Sequence, residues 1–349
     1  MNRMNREQYR SPLRGLVKGL LLACLYWTGL LWLLAFVRLR HRAVVLTYHR
    51  VLPPELVNLS FSAPSIVVAP ETFDWHMRFV RRFLRPVDAD TFLELLASGD
   101  PLPARTCLVT FDDGWYDNLD FALPVLLRHS VPAVLFVATD YIGSQDCFWQ
   151  ERLARLLFEL RKSEVGAAVL DELGAGPASV LSPADAKVQI RELVEKMKRR
   201  PRVEVDRLLQ RLSDSTGSSA SVSAEDRFLS WDEVRRMADR GLVTIGSHGV
   251  SHAIFTTLSA SLVEVELRHS AKVIAAEVGK IPTVLAYPNG NADREISVQA
   301  KAAGYAAAFT TARGLVSARC NPHLLPRINM HEAATRSRAA FLGRIAGLF

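Results

Sequence analysis

Three short stretches of the chain carry side chains that can do chemistry together. Thr110-Phe111-Asp112-Asp113-Gly114 sets two adjacent carboxylates before a glycine that permits a tight turn. Neighbouring side chains diverge, so one carboxylate can ligate a metal while the other faces water that is to be deprotonated. Ser247-His248-Gly249-Val250-Ser251-His252 supplies two imidazoles four residues apart. With Asp113 they make two nitrogens and one oxygen, a donor set suited to Zn²⁺ with a position left open. Leu285-Ala286-Tyr287-Pro288-Asn289-Gly290 has the proline and glycine of a loop whose backbone N–H groups can hold an oxyanion. Alone, Asp-Asp-Gly reads equally well as an ordinary turn or cap, the histidine pair as a surface feature, and the third stretch more readily as a plain turn; the combination is far more specific than its parts.

The elements that must hold these groups are legible as short apolar runs. Ala43–Tyr48, Cys107–Phe111, Ala133–Val137, Leu242–Ile245, Thr283–Ala286 and Ala306–Phe309 read as buried strands. Helical patterns lie between them at Glu71–Phe83, Thr91–Ser98, Asn118–His129, Ser230–Arg240, Leu262–Val278 and Arg294–Ala303. Such alternation predicts an α/β domain with a parallel sheet or barrel, whose chemistry sits at the C-terminal strand ends. His49, Asp112-Asp113, His248 and Asn289 all fall there. Residues 151–223 break the rhythm as a helical insertion, with blocks Glu151–Lys162 and Ala184–Arg199 and a loop-like Ser213–Ser223. Its basic cluster Lys196, Lys198, Arg199, Arg200 and Arg202 reads as a solvated face.

The 349 residues carry 43 Lys and Arg against 36 Asp and Glu, a net charge of +7. Much of the excess flanks one segment. Arg3, Arg6, Arg10, Arg14 and Lys18 precede the uncharged run Gly19–Val37, and Arg38, Arg40 and Arg42 follow it. Nineteen uncharged residues at ~1.5 Å each just cross a hydrocarbon core of roughly 30 Å, so the run predicts one uncleaved transmembrane helix and a lipid bilayer as partner. Cations on both sides argue against nucleic acid, and their slight excess before the run places the N-terminus inside and the rest outside the cytoplasmic membrane. The expected layout is thus a basic segment 1–18, an anchor 19–37, a domain 43–330 containing the insertion, and a C-terminal helical tail 331–349. Cys24, Cys107, Cys147 and Cys320 are scattered singly and form neither a CxxC site nor a disulfide framework. The oligomeric state is not legible.

From about Ala43 to Met330 the sequence resembles the polysaccharide deacetylases, the NodB-homology group also called carbohydrate esterase family 4. Thr110–Gly114 matches its TFDDG motif, and His248 and His252 match its H-x-x-x-H motif. The resemblance implies a distorted (β/α) barrel of about seven strands that removes N-acetyl groups from amino sugars with one divalent ion, zinc favoured. It implies Asp112 as catalytic base and Asp113, His248 and His252 as metal ligands. Asn289 and Tyr287 fall in the oxyanion and substrate loop. Ala286 stands where many members carry an arginine that steadies the base, and Arg327 of Leu325–Asn329 is its expected replacement. The late Leu-x-x-His motif of the general acid is absent. Leu46-Thr47-Tyr48-His49-Arg50-Val51 is similar to the N-terminal Tyr-His segment of the branch related to poly-N-acetylglucosamine deacetylases, which favours His49 over His323 as acid. The expected substrate is an N-acetylated glycan or lipid-linked sugar, with a catalytically weak saccharide-binding relative as the other reading. Ser230 is expected to cap a helix, and Trp115, Tyr116, Trp149 and Tyr287 lie where aromatic rings can stack on sugar.

Overall fold

In the computed structural model, residues 12–175, 181–198, 200–216 and 226–348 are described. Arg3, Arg6, Arg10, Arg199 and the part of the expected loop beyond residue 216 lie outside them.

Seven parallel strands close into a barrel: β1 Val44–Tyr48, β2 Thr106–Phe111, β3 Ala133–Val137, β4 Val243–Ser247, β5 Val284–Ala286, β6 Ala307–Arg313 and β7 Leu325–Asn329. Each pairs with its neighbours in chain order, and β1 closes the ring between β2 and β7. The apolar runs are continuous because both strand faces are covered. Val45, Leu108, Val134, Phe136, Ala286 and Phe309 form one cluster, while Val44, Leu46, Val109 and Leu135 join another with the helix residues Phe73, Met77 and Leu126. Gly246 keeps β4 compatible with this packing, since a Cβ there would stand 2.5 Å from the Phe136 ring.

Six strands coincide with the apolar runs to within a few residues. The seventh, β7, has no such run, because Pro326 and Arg327 interrupt it; its register with β6 shifts between Leu325 and Arg327, an irregularity of the kind that admits proline. Local chemistry sets the helix starts. Ser230 and Glu233 form a capping box at Trp231–Ala238, and Asp88, Ser259 and Asp293 accept from backbone N–H groups at three other N-termini. Between β3 and β4 lie Trp149–Leu160, Glu164–Glu172, Pro183–Met197 and Arg202–Thr216. They bury a core of their own, including Leu156, Val169, Ile190 and Leu212. The tail contains helices Glu332–Thr335 and Arg338–Ile345.

The expected transmembrane segment does not form one continuous helix, although its two halves together have the length and composition of a span. No single helix among the described residues is long and apolar enough to cross a membrane; the run forms the end of Pro12–Trp27 and then Leu30–Arg38, bent by 86°. The break is Gly29, at a φ of 78° that L side chains rarely adopt. Composition records how apolar the segment is, not where its backbone turns.

Candidate active site

The C-terminal ends of β1, β2, β4 and β5 bring His49, Asp112, Asp113, His248, His252 and Asn289 to one cavity of about 530 Å³. Trp149, Arg191, Lys198 and Arg202 of the intervening helices form its far wall.

Asp112 directly follows β2, where its N–H donates to the Tyr48 carbonyl at 3.0 Å. Its carboxylate accepts two parallel hydrogen bonds from the Arg327 guanidinium, 2.7 and 2.8 Å, and both side chains are buried. Burial pushes the Asp112 pKa up, but Arg327, with smaller contributions from His248 and His49, outweighs it and holds the group below its ordinary value. Arg327 is itself fixed by the Thr310 carbonyl at 3.0 Å and lies over the Phe136 and Phe309 rings. It does not line the cavity and reaches Asp112 from the protein interior.

Asp113 turns away from Asp112 because its backbone is left-handed, φ 79°, as is that of Gly114. A Cβ at Gly114 would stand 2.7 Å from the tip of the Ile142 side chain, so the glycine in this turn is required by its backbone, with crowding at Ile142 and Val137 adding to it. One carboxylate oxygen, Oδ2, accepts from the Trp115 indole at 2.9 Å. The other, Oδ1, faces His248 Nε2 and His252 Nε2, each at 3.4 Å. Donors held about 2.0–2.1 Å from a tetrahedral ion stand about 3.3 Å apart, so this set fits a divalent ion of zinc's size. The three ligand atoms lie within 4.8 Å of one another. His248 Nδ1 donates to the Ala286 carbonyl at 2.7 Å, which leaves Nε2 as the lone-pair nitrogen. His252 stacks on Phe148 at 3.9 Å between centroids. Burial raises the Asp113 pKa, but the two imidazoles outweigh it and hold the group well below its ordinary value. Burial lowers both imidazoles; facing Asp113, His248 ends above its ordinary value while His252 stays below.

His49 Nε2 stands 3.8 Å from Asp112 Oδ2, and its buried Nδ1 has no hydrogen-bond partner among the described residues. His323 is elsewhere. It precedes β7, at the opposite barrel end, and its Nε2 bonds to the Tyr305 carbonyl at 2.8 Å.

Three expectations about aromatic rings are corrected. Tyr287 follows Ala286 on β5 and, with the period of two, points to the opposite face; its ring is fully buried beside Phe255 and its hydroxyl donates to the His323 carbonyl at 2.9 Å. Trp115 is likewise fully buried and serves Asp113, not a sugar. Tyr116 lies under Arg227, outside the cavity lining, which leaves the half-buried Trp149 as the one of the four rings at the cavity wall with an accessible face.

Several supports have no signature in the sequence. Arg50 is fully buried over the Trp115 ring at 4.2 Å and bonds to Asp117 at 2.9 Å and Asp226 at 2.6 Å. Through Trp115 this network fixes the orientation of Asp113. Glu266, from helix Ala260–Val278, accepts from the N–H groups of Val250 and Ser251 and so holds the loop between the two histidines.

The family model described as polysaccharide deacetylase matches residues 99–308. The chain is 29% identical over 110 residues to the putative polysaccharide deacetylase YxkH of Bacillus subtilis (strain 168), a match spanning 30% of this chain and 38% of that protein. It therefore covers well under half of that curated relative. Among solved structures, the fold is similar to IcaB from Ammonifex degensii (TM-score 0.56, 17% identity, 86% of this chain and 97% of that one). It is also similar to the Streptococcus pyogenes deacetylase PplD in complex with acetate (TM-score 0.54, 17% identity, 84% and 94%).

Proposed function

We propose, from the premise that the chain belongs to the polysaccharide deacetylase family, that it is a metal-dependent hydrolase releasing acetate from N-acetylated amino sugars of a glycan. The observation that carries this reading is the buried Asp112–Arg327 pair set beside the three-donor cluster of Asp113, His248 and His252.

Asp113, His248 and His252 would hold a divalent ion, which would supply Lewis acidity when bound, and the two-nitrogen, one-oxygen set suits zinc. The chain's own residues perform the proton transfers. Arg327 keeps Asp112 ionised, so Asp112 accepts the proton of the attacking water. The backbone at Asn289, in a left-handed conformation at the cavity wall, provides N–H character for the developing oxyanion. His49, open to the cavity on the other side of Asp112, delivers a proton to the departing amine. Asp112 and His49 thus start in opposite protonation states. This assignment of the acid follows the N-terminal Tyr-His segment, and Trp149 offers a face on which a pyranose ring can stack.

The test is acetate release from an N-acetylated chitooligosaccharide by the full-length protein. Activity should vanish with a chelator and return with Zn²⁺. Asp112→Asn should retain the metal yet lose a factor of about 10² or more in turnover. Near-normal turnover in that variant would assign the base elsewhere.

A further inference from the structure

The apolar run of residues 19–37 is neither a buried core element nor a straight spanning helix. One side of its bent pair is a seat on the protein. Leu22, Leu31, Ala35 and Leu39 are buried, Trp32 stacks on Phe79 and meets the edge of Phe83, and Arg38 donates to the carbonyls of Ala346 and Gly347. The other side is open. Val17, Leu20, Cys24 and Trp27 recur at three, four and three residues along the first helix, and Leu30, Leu33 and Val37 repeat the pattern on the second. Leu20 and Val37 are each 64% exposed, Leu33 61% and Trp27 83%. Two adjoining apolar stripes of this kind are rare on a soluble surface without something to cover them.

Charge identifies the cover. Between Glu7 and Glu55 the sequence has no acidic residue, while Arg40, His41 and Arg42 are exposed beside the stripes. A second copy docked stripe to stripe would bring two basic rims together, whereas anionic headgroups complement them. Trp27 is of the residue type that favours the headgroup boundary. The pair also has a defined place on the barrel. It leads directly into the start of β1, and the Leu39 carbonyl accepts from the N–H of Arg105, the residue before β2. The catalytic residues lie at the other strand ends, about 17–20 Å away along a five- or six-residue strand.

We propose that this helix pair seats the lower end of the barrel in one leaflet of an anionic bilayer without crossing it, so that the catalytic rim faces away from the lipid. Resting on the deacetylase reading, the consequence is that the N-acetyl groups within reach belong to a glycan chain extending from the surface, not to a sugar joined directly to lipid phosphate in the same leaflet.

Flotation of the full-length protein with phosphatidylethanolamine vesicles, with and without phosphatidylglycerol, tests the seat. The protein should float, more completely with the anionic lipid and less so at high salt. Leu20→Glu, Leu33→Glu and Val37→Glu combined should reduce the floating fraction by roughly tenfold or more. Arg40→Glu with Arg42→Glu, on exposed positions that need no repacking, should abolish the preference for phosphatidylglycerol. Acetate release from a soluble oligosaccharide should be unchanged in both variants. A protein that stays with the soluble fraction overturns the proposal, as does a stable dimer in which the stripes are protected. In cells, tags before Met1 and after Phe349 should report the same side of the membrane; opposite sides would mean a spanning segment and defeat the one-leaflet seat. Vesicle-bound protein that deacetylates a lipid-linked monosaccharide in those vesicles better than a soluble oligosaccharide would refute the orientation. Flotation without acetate release would instead refute the deacetylase reading and leave the seat standing.

Discussion

Replacing Arg327 with Gln separates the support of the base from the base itself. Arg327 gives Asp112 two charge-assisted hydrogen bonds at 2.7 and 2.8 Å, in a site where both side chains are buried. Removing one partner of a buried pair costs about 3–5 kcal/mol, most of it the penalty of the charge left behind. Against a typical stability of about 5–15 kcal/mol the variant should fold, with a markedly lower urea midpoint. The orphaned Asp112 relieves its penalty by binding a proton. With Arg327 gone, burial is opposed only by the weaker influence of His248 and His49, so the Asp112 pKa rises. The acid limb of kcat/KM must then move to higher pH, and turnover at neutral pH should fall by about 10²-fold or more as ionised base is lost. Metal content should be unchanged, because Arg327 contacts Asp112, Thr110 and Thr310 and none of the three ligands. The companion variant Asp112→Asn/Arg327→Gln removes both charges and should be more stable than Arg327→Gln alone, by ~1 kcal/mol or more of coupling. An unmoved acid limb, or stability losses that simply add in the double variant, would refute the reasoning.

Three further outcomes follow from the geometry. His49→Ala should depress hydrolysis of the amide strongly while sparing an aryl acetate, whose leaving group needs no proton; if His323→Ala shows that selective loss instead, the late histidine is the acid. His248→Ala/His252→Ala should be isolated without metal by elemental analysis, because it leaves one ligand of three, and full occupancy would place the ion elsewhere. Glu151→Gln should stabilise the protein at pH 8 by up to about 3 kcal/mol and do little near pH 4, as read by urea denaturation. Burial, then the charge of Asp226, raises the Glu151 pKa from 4.5 to about 7. The folded state therefore holds more protons than the unfolded chain across that window, and native stability falls as pH rises through it. An equal effect at both pH values would exclude titration as the cause.

What the sequence revealed and what it hid divide along physical lines. Strands buried on both faces announce themselves as apolar runs, and residues that directly follow such runs reach the rim, which is why His49, Asp112, Asp113, His248 and Asn289 were legible. A strand with polar work to do is hidden: Arg327 breaks the pattern of β7 because it serves Asp112, 215 residues earlier in the chain. Long-range pairing hides the supports as well. Arg50 and Asp226 are 176 residues apart, and no local spacing predicts that they meet beneath Trp115. Nor does composition show that Tyr287 lies one residue out of phase with Ala286, or that Leu22, Leu31, Ala35 and Leu39 already have neighbours.

Closure of the barrel resolves how a site can form without an arginine at position 286. Because β1 pairs with both β2 and β7, Thr47 stands beside Thr110 on one side and Asn329 on the other. The residue after β1 and a residue within β7 therefore flank the carboxylate after β2, although they come from opposite ends of the domain. His49 approaches Asp112 from the cavity and Arg327 from the protein interior. Water can reach only the first. One face of Asp112 is held by a permanent cation, and the other is left to a group that can gain and lose a proton. The backbone that would have carried the missing arginine is not idle, since the Ala286 carbonyl orients His248. The approach of His49 and Arg327 to opposite sides of Asp112 thus depends on strand adjacency, which the ring supplies independently of the order in which the chain presents its motifs.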